Sequence, residues 1–208
     1  MGSTTDSGFV ARSIAGLGFA VLLAGAAAAQ ATSIVSFDPS GKLKNEDAFD
    51  PAISPDGRYV GFQWYDNLTA ADVFLGDRVT GVIERISVNS SEKKGDSYSY
   101  APTPTPDLRY VAFSSWATNL VAGDTNGPYP FGHDVFVRDR LNGTTERVSI
   151  GALGQQGDDS SYHPAISADG RYVAFTSFAG NLVAGDSNGV EDVRSEEHTS
   201  ELQSLAYL

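Results

Sequence analysis

The segment PAISPDGRYVGF, Pro51 to Phe62, decides the fold because it occurs three times in the chain. It returns as PTPTPDLRYVAF at Pro102 to Phe113 and as PAISADGRYVAF at Pro164 to Phe175. A second segment, DVFLGDRVTGVIERISV at Asp72 to Val88, returns as DVFVRDRLNGTTERVSI at Asp134 to Ile150. Self-similarity at a period of this size indicates tandem structural repeats, each one a supersecondary unit.

The length of the repeat varies at one connection. From Ser87 to Pro102 and from Ser149 to Pro164 the distance is the same, 15 residues. The stretch that leads into Asp72 or Asp134 differs in length between copies and accounts for the whole change in period. Fixed elements around one elastic connection predict insertions on one face of a repeat fold.

The repeat contains short segments of strand character. Tyr59 to Phe62 is apolar and β-prone, and it follows the turn sequence Pro55-Asp56-Gly57. Val73 to Leu75 gives a further strand. In Ile83 to Val88, apolar and polar residues alternate, which is the pattern expected of the outermost strand. Four antiparallel strands in roughly 50 residues are typical of a propeller blade.

The sequence therefore predicts an all-β protein, a partial β-propeller of four-stranded antiparallel blades. We expect about two complete blades and half of a third within residues 32–193, with the chain ending before the ring closes. The blades are expected at 51–88, 102–150 and 164–193, the last incomplete. We also expect the leading residues Ile34 to Phe37 to dangle or to dock loosely at an edge, because no first three strands precede them.

One turn departs from its copies. Leu108 stands where the other two copies have Gly57 and Gly170. If this position is left-handed, a leucine there costs about 1–2 kcal/mol.

The pattern P-A-x-S-x-D-G-R-Y-V-A-F followed by D-V-F-V-R-D resembles the TolB-like, WD-repeat-like β-propeller repeat of exported bacterial proteins. The resemblance covers about Ile34 to Val193. It implies a propeller with more blades than this chain encodes, so we expect the natural protein to continue past Val193. TolB itself carries an α/β domain ahead of its propeller, whereas these repeats follow the leader directly, so the resemblance does not extend to TolB's own partners.

Residues 1–31 are predicted to be a signal peptide. Arg12 precedes an apolar run from Ile14 to Ala29, and Ala29-Gln30-Ala31 fits a cleavage site. The alternative is a retained membrane anchor, although the run is shorter than the roughly 20 residues of a spanning helix. We expect a secreted or periplasmic protein with no membrane span after cleavage.

The C-terminal stretch is unlike the repeats. Arg194 to Ser204, RSEEHTSELQS, resembles the translation of a sequencing-library adapter. We expect residues 194–208 to be an artefactual tail that packs on nothing; the alternative is a natural polar tail.

Charge narrows the class of partner. The formal net charge is −12, which argues against nucleic acid and anionic membranes. There is no cysteine, so neither a disulfide scaffold nor thiol chemistry is available. A protein or a cell-envelope component is the expected partner.

Two loops carry oxygen donors at alternate positions. In NLVAGDSNG and the residues after it, Asp186, Asn188 and Asp192 stand at positions one, three and seven, a spacing that suits Ca²⁺. The preceding copy offers an analogous set, although an insertion delays its last carboxylate; this set comprises Asp124, Asn126 and Asp134. The alternative is an Asx-rich turn. Calcium is the one cofactor that the sequence suggests.

The insertion Pro128 to His133 places aromatic side chains in a connection, where binding residues concentrate. Tyr129, Phe131 and His133 are candidate partner contacts, and a local packing plug is the alternative. The sequence contains no G-x-S-x-G, H-E-x-x-H or P-loop motif. We therefore expect a non-enzymatic exported binding module. The alternative is the propeller of a larger, prolyl-oligopeptidase-like secreted hydrolase whose catalytic domain is missing.

Overall fold

The repeated segments form the strands of three antiparallel sheets. The structure is a computed structural model that describes residues 32–37, 42, 47–65, 70–127 and 132–198. The first sheet, blade one, has the order β1-β2-β3-β4, formed by Ala48–Ile53, Tyr59–Tyr65, Ala71–Asp77 and Ile83–Arg85.

Blade two repeats this arrangement, and blade three repeats its first three strands. Blade two comprises β5 (Ser99–Pro104), β6 (Tyr110–Ser115), β7 (Asp134–Asp139) and β8 (Thr144–Arg147). Blade three comprises β9 (Ser161–Ile166), β10 (Tyr172–Ser177) and β11 (Asp192–Glu197). The described part of the chain is all-β, as predicted, and none of its segments is a helix long and apolar enough to cross a membrane.

The tight turn between the first two strands of each blade is built by its own side chains. In blade one, Ser54 Oγ donates to Asp56 Oδ1 at 2.5 Å, and the same carboxylate oxygen accepts the Arg58 N–H at 3.0 Å. Gly57 has a positive φ of 69°, and Leu108 in blade two has one of 63°. The left-handed position inferred from the sequence is therefore present, and a leucine occupies it.

An arginine–acid pair fastens this turn to the third strand. Arg58 Nη2 lies 2.6 Å from Asp77 Oδ2, and Arg109 Nη2 lies 2.9 Å from Asp139 Oδ2. The Arg58 hydrogen bonds hold the pKa of Asp77 well below its ordinary value. Asp77 also accepts the Val79 N–H at 2.8 Å, so one carboxylate ties the two turns together. These contacts give the repeated Asp and Arg residues a structural role.

The blades pack face to face through apolar side chains. Between blades one and two, Leu75 and Ile86 meet Phe113 and Phe136, all of them nearly inaccessible to water. Between blades two and three, Val137 contributes to a second cluster that contains Val173, Phe175 and Leu182. Full burial of one such side chain contributes about 1.5–3 kcal/mol, so these interfaces hold the blades in register.

The expectation that the chain packs on nothing from Arg194 onward is wrong for residues 194–198. β11 continues to Glu197 and pairs with β10 along its whole length. Glu197 takes the place of Asp77 and Asp139, and it lies 2.6 Å from Arg171 in the third copy of the arginine–acid pair. Strand pairing needs only backbone N–H and C=O groups, which every residue but proline supplies. Residues 199–208 lie outside the described residues, as do residues 1–31.

The leading residues form no strand within 32–37. Val35 packs against the blade-one cluster of Val60, Phe62, Trp64 and Phe74. The segment docks without completing a sheet, in agreement with the expectation for Ile34 to Phe37.

Candidate functional site

Two aromatic positions recur in every blade and meet at one end of the sheets. The first lies in the leading strand, two residues before the repeated proline, and the second lies at the end of the second strand or directly after it. We call these six residues the aromatic belt: Phe49, Tyr100 and Tyr162 at the first position, and Tyr65, Trp116 and Phe178 at the second.

The belt is continuous from blade to blade because Tyr98 and His133 bridge the gaps. The rings of Tyr65 and Tyr98 are 6.0 Å apart between centroids, and those of Tyr98 and Trp116 are 5.9 Å apart. His133 lies 3.8 Å from the Trp116 ring and 5.7 Å from that of Tyr162. Residues from all three blades therefore form one surface.

Backbone strain accompanies the belt at the same place in each blade. The residue between the leading-strand aromatic and the proline has a positive φ: 51° at Asp50, 52° at Ala101 and 52° at His163. The ladder shifts register here, as at a β-bulge. Bulges re-aim side chains, and strained non-glycine residues cluster at functional sites. The repetition of the strain indicates a feature of the repeat.

Two hydroxyl groups in the belt, those of Tyr100 and Tyr162, have hydrogen-bond partners. Tyr100 Oη and His133 Nδ1 share a hydrogen bond of 2.6 Å. In blade three, the Tyr162 hydroxyl donates to Glu191 Oε1 at 2.8 Å. Burial first, and then the Glu191 hydrogen bond, raise the pKa of Tyr162 to about 12. Burial lowers the pKa of His133 to about 4, with the nearby His163 acting in the same direction. Near neutral pH the Tyr162 hydroxyl and the His133 ring are therefore uncharged.

A cleft of about 480 Å³ opens on the belt between blades one and two. It is lined by Gln63, Tyr65, Tyr98, Tyr100 and Trp116, none of which carries a charge. Gln63 is only 8% exposed. Among the residues that the structure describes, its side-chain amide has no hydrogen-bonding partner. A buried amide beside open space provides one acceptor and two donors for a ligand.

In blade two, the candidate calcium ligands converge on an arginine. Arg147 Nη1 lies 3.4 Å from Asp124 Oδ1 and 3.2 Å from Asp134 Oδ2. Gln156 Nε2 donates to Asp124 Oδ1 at 3.0 Å. Burial raises the pKa of Asp134, while hydrogen bonding to Ser149 and the charge of Arg147 oppose that rise. The two carboxylates therefore contact one guanidinium. Asn126 lies beside them, and its buried side-chain amide has no hydrogen-bond partner among the described residues.

Blade three repeats this convergence with a different arginine. Arg194 Nη2 contacts Asp186 Oδ2 directly and lies 3.6 Å from Asp192 Oδ2. Asn188 Nδ2 donates to Asp192 Oδ2 at 3.2 Å. Within the described ranges, no group of three or more acidic, histidine or cysteine side chains is placed to hold a metal ion. Calcium binding stays a prediction.

Of the predicted partner contacts, one adjoins the belt. His133 bridges Trp116 and Tyr162, whereas Tyr129 and Phe131 lie outside the described residues. The sequence reasoning missed the belt itself. Its signal was present in the alignment of the copies, which read FDP, YAP and YHP at the leading strand and QWY, SSW and TSF at the end of the second strand.

The packed antiparallel sheets, with their leading strands side by side, define a partial β-propeller. No family model and no curated protein matches the chain. Solved structures that resemble it include a putative TolB from Agrobacterium tumefaciens, with 18% identity, a TM-score of 0.46, and coverage of 71% of this chain and 42% of that one. TolB from Acinetobacter baumannii has 19% identity and a TM-score of 0.46, with coverage of 74% of this chain and 31% of that one. The tricorn protease has 18% identity and a TM-score of 0.45, with coverage of 74% of this chain and 13% of that one. The chain spans less than half the length of each of these proteins.

Proposed function

We propose that the chain is part of an exported β-propeller that binds a protein or cell-envelope partner through the aromatic belt, without catalysing a reaction. The observation that carries the proposal is an uncharged aromatic cleft of about 480 Å³, into which the Gln63 amide opens with no partner among the described residues. Because this amide opens on the cleft, a ligand that enters can form hydrogen bonds with it.

The composition of the belt supports binding. Tyrosine and tryptophan combine a large apolar face with a polar edge, and they lose little rotamer entropy on association. They are also the residues most enriched among those that dominate binding energy. Trp116 lies at the centre of the belt, with Tyr98, Tyr100 and His133 around it. We expect Trp116 to contribute the largest share of affinity.

Site-specific cross-linking in the producing cell tests this function. A photoreactive residue at Tyr65 samples the cleft, and one at Tyr172, an exposed tyrosine outside the belt, is the matched control. We expect the Tyr65 probe to capture a defined exported protein or envelope component, and Trp116→Ala to abolish that capture. Equal capture from both positions, or none from either, would contradict the proposal.

Export is proposed from residues 1–31 and requires its own test. Fractionation of cells that express the chain with and without these residues should place the first form outside the cytoplasm and leave the second inside. A cytoplasmic product in both cases would refute export.

The second candidate is the propeller part of a larger secreted hydrolase. Reading the complete gene distinguishes the two functions. A downstream G-x-S-x-G motif would favour the hydrolase, and further repeats followed by a stop codon would favour the binding module.

A further inference from the structure

We propose that the cleft on the aromatic belt takes an extended, proline-containing peptide segment that carries basic residues. This inference rests on the proposed function, and it specifies the chemistry of the partner. It follows from three features of the site: the angles between the rings, the neutral hydrogen-bonding group in the cleft, and the charge around it.

Two neighbouring pairs of rings in the cleft are nearly perpendicular, and a third pair, Tyr100 and Trp116, is tilted by 38°. The angle between the ring planes is 70° for Tyr65 and Tyr98, and 77° for Tyr98 and Trp116. At the blade-one end, Phe49 and Tyr65 meet at 81°. Alternating perpendicular rings leave notches between them instead of one flat platform. Proline rings presented along a polyproline II helix fit notched, aromatic-lined grooves, whereas the broad face of a sugar ring requires a flat one.

The polar group in the cleft matches the exposed backbone of such a segment. A polyproline II segment has no internal hydrogen bonds, so its carbonyl groups remain available as acceptors. The Gln63 amide can donate to one of them from the base of the cleft. Because this conformation is preorganised, little conformational entropy is lost on binding.

The charge around the belt selects a basic sequence. Asp50, Asp96 and Glu191 are exposed carboxylates beside the belt: Asp50 accepts the Ala101 N–H, Asp96 accepts the Thr118 N–H, and Glu191 accepts the Tyr162 hydroxyl.

The arginines at the same end of the sheets lie beside carboxylates, although Asp72 is shared with Lys94 at 3.8 Å. Arg85 is 3.3 Å from Asp72, and Arg147 is 3.2 Å from Asp134. With a net charge of −12 on the whole chain, the field at the belt attracts a cationic segment.

The experiment is a titration of the full chain with a labelled synthetic peptide of Pro-Pro-Arg repeats, followed by fluorescence anisotropy. Matched peptides replace proline with alanine or arginine with glutamate, and a neutral cello-oligosaccharide serves as the glycan probe. The protein variants are Tyr65→Ala, Trp116→Ala and Gln63→Met, with Tyr172→Ala as the control outside the belt. Circular dichroism establishes that each variant is folded. If the aromatic variants do not fold, Gln63→Met still tests the cleft, because methionine has about the same side-chain volume as glutamine.

We expect the Pro-Pro-Arg peptide to bind, and each change to peptide or cleft to weaken binding about tenfold or more. Tyr172→Ala should bind as the parent chain does, and added salt should weaken the interaction. Binding that is unaltered by the cleft variants would overturn the proposal. Binding of the oligosaccharide alone, lost in Trp116→Ala, would overturn the peptide class while leaving the belt as the binding surface. If neither probe binds, the peptide proposal fails. The cross-linking experiment at Tyr65 then decides whether the proposed function fails as well.

Discussion

Tyr100 Oη and His133 Nδ1 lie 2.6 Å apart, and the same relationship returns one blade later between Tyr162 and Glu191. In blade one the two positions hold Phe49 and Ala71, so the hydroxyl and its partner are absent together. A polar group at one position therefore accompanies a polar group at the other. The pair fixes the orientation of the belt's central rings.

The His133 side chain should make stability depend on pH. Burial lowers its pKa to about 4, whereas an unfolded histidine titrates near 6.5. The neutral form is favoured in the folded state, so its contribution is fully present above about pH 6.5 and is lost as the pH falls toward 4. We expect a loss of about 1–2 kcal/mol over this range, after discounting for solvent screening.

The test compares His133→Gln with the parent chain by thermal unfolding at several pH values. Glutamine keeps a hydrogen-bonding group for Tyr100 but does not titrate. His163 and Asp159, which also influence His133, are retained in both chains, so the difference isolates one group. Parallel pH profiles for the two proteins would show that His133 does not titrate as predicted.

The carboxylates around Arg147 provide a test of the calcium prediction. Arg147→Ala leaves Asp124 and Asp134 buried without their guanidinium, at an expected cost of about 3–5 kcal/mol. Millimolar Ca²⁺ should restore part of the lost melting temperature in this variant, because the oxygens then face an open position. Calorimetry on both chains checks for binding heat. If Ca²⁺ stabilises neither protein, these residues form a structural ion pair and no cation site.

The arginine–acid pair should support the fold mainly above acid pH. Burial tends to raise the pKa of Asp139, but the hydrogen bonds from Arg109 and from the Leu141 and Asn142 N–H groups outweigh burial and lower it. A lowered carboxyl pKa stabilises the fold above the unfolded value, near 4, and this contribution disappears as the pH falls through the folded value.

Asp139→Asn should therefore cost about 1–3 kcal/mol at neutral pH and less at low pH, as measured by urea unfolding. Arg109→Lys keeps the charge but loses the paired N–H groups, so it should cost less. A cost for Asp139→Asn that does not change with pH would contradict the assignment.

Leu108 offers a stabilising substitution. It holds a φ of 63°, where leucine is strained by about 1–2 kcal/mol. Leu108→Gly relieves that strain and loses roughly 0.5–1 kcal/mol to the entropy of the unfolded chain, so a small net gain is expected. Gly57→Ala is the mirror control: its Cβ meets nothing within 4 Å, yet its φ of 69° should make it destabilising. Loss of stability in Leu108→Gly would show that packing of the leucine outweighs the backbone strain.

The sequence by itself determined the blades and their turns. Repetition of PAISPDGRYVGF located the strands, and the left-handed position at Leu108 followed from the glycines in the other copies. These features depend on residues that are neighbours along the chain, so local turn chemistry and strand patterning specify them. The same reasoning wrongly predicted that Arg194 to His198 pack on nothing. The backbone that follows Asp192 and Val193 pairs with β10, and this pairing does not depend on the side chains.

Only the tertiary structure decided what the repeats build together. The belt joins rings from different blades, such as Tyr65 and Tyr98 or His133 and Tyr162, and their adjacency is a consequence of how the apolar blade faces pack. The oxygen donors of the predicted calcium loop were visible in the sequence. Arg147, which lies between two of them, comes from a strand that pairs with β7 only in the folded sheet. Contacts between distant residues depend on the packing of whole sheets, and no local pattern encodes that packing.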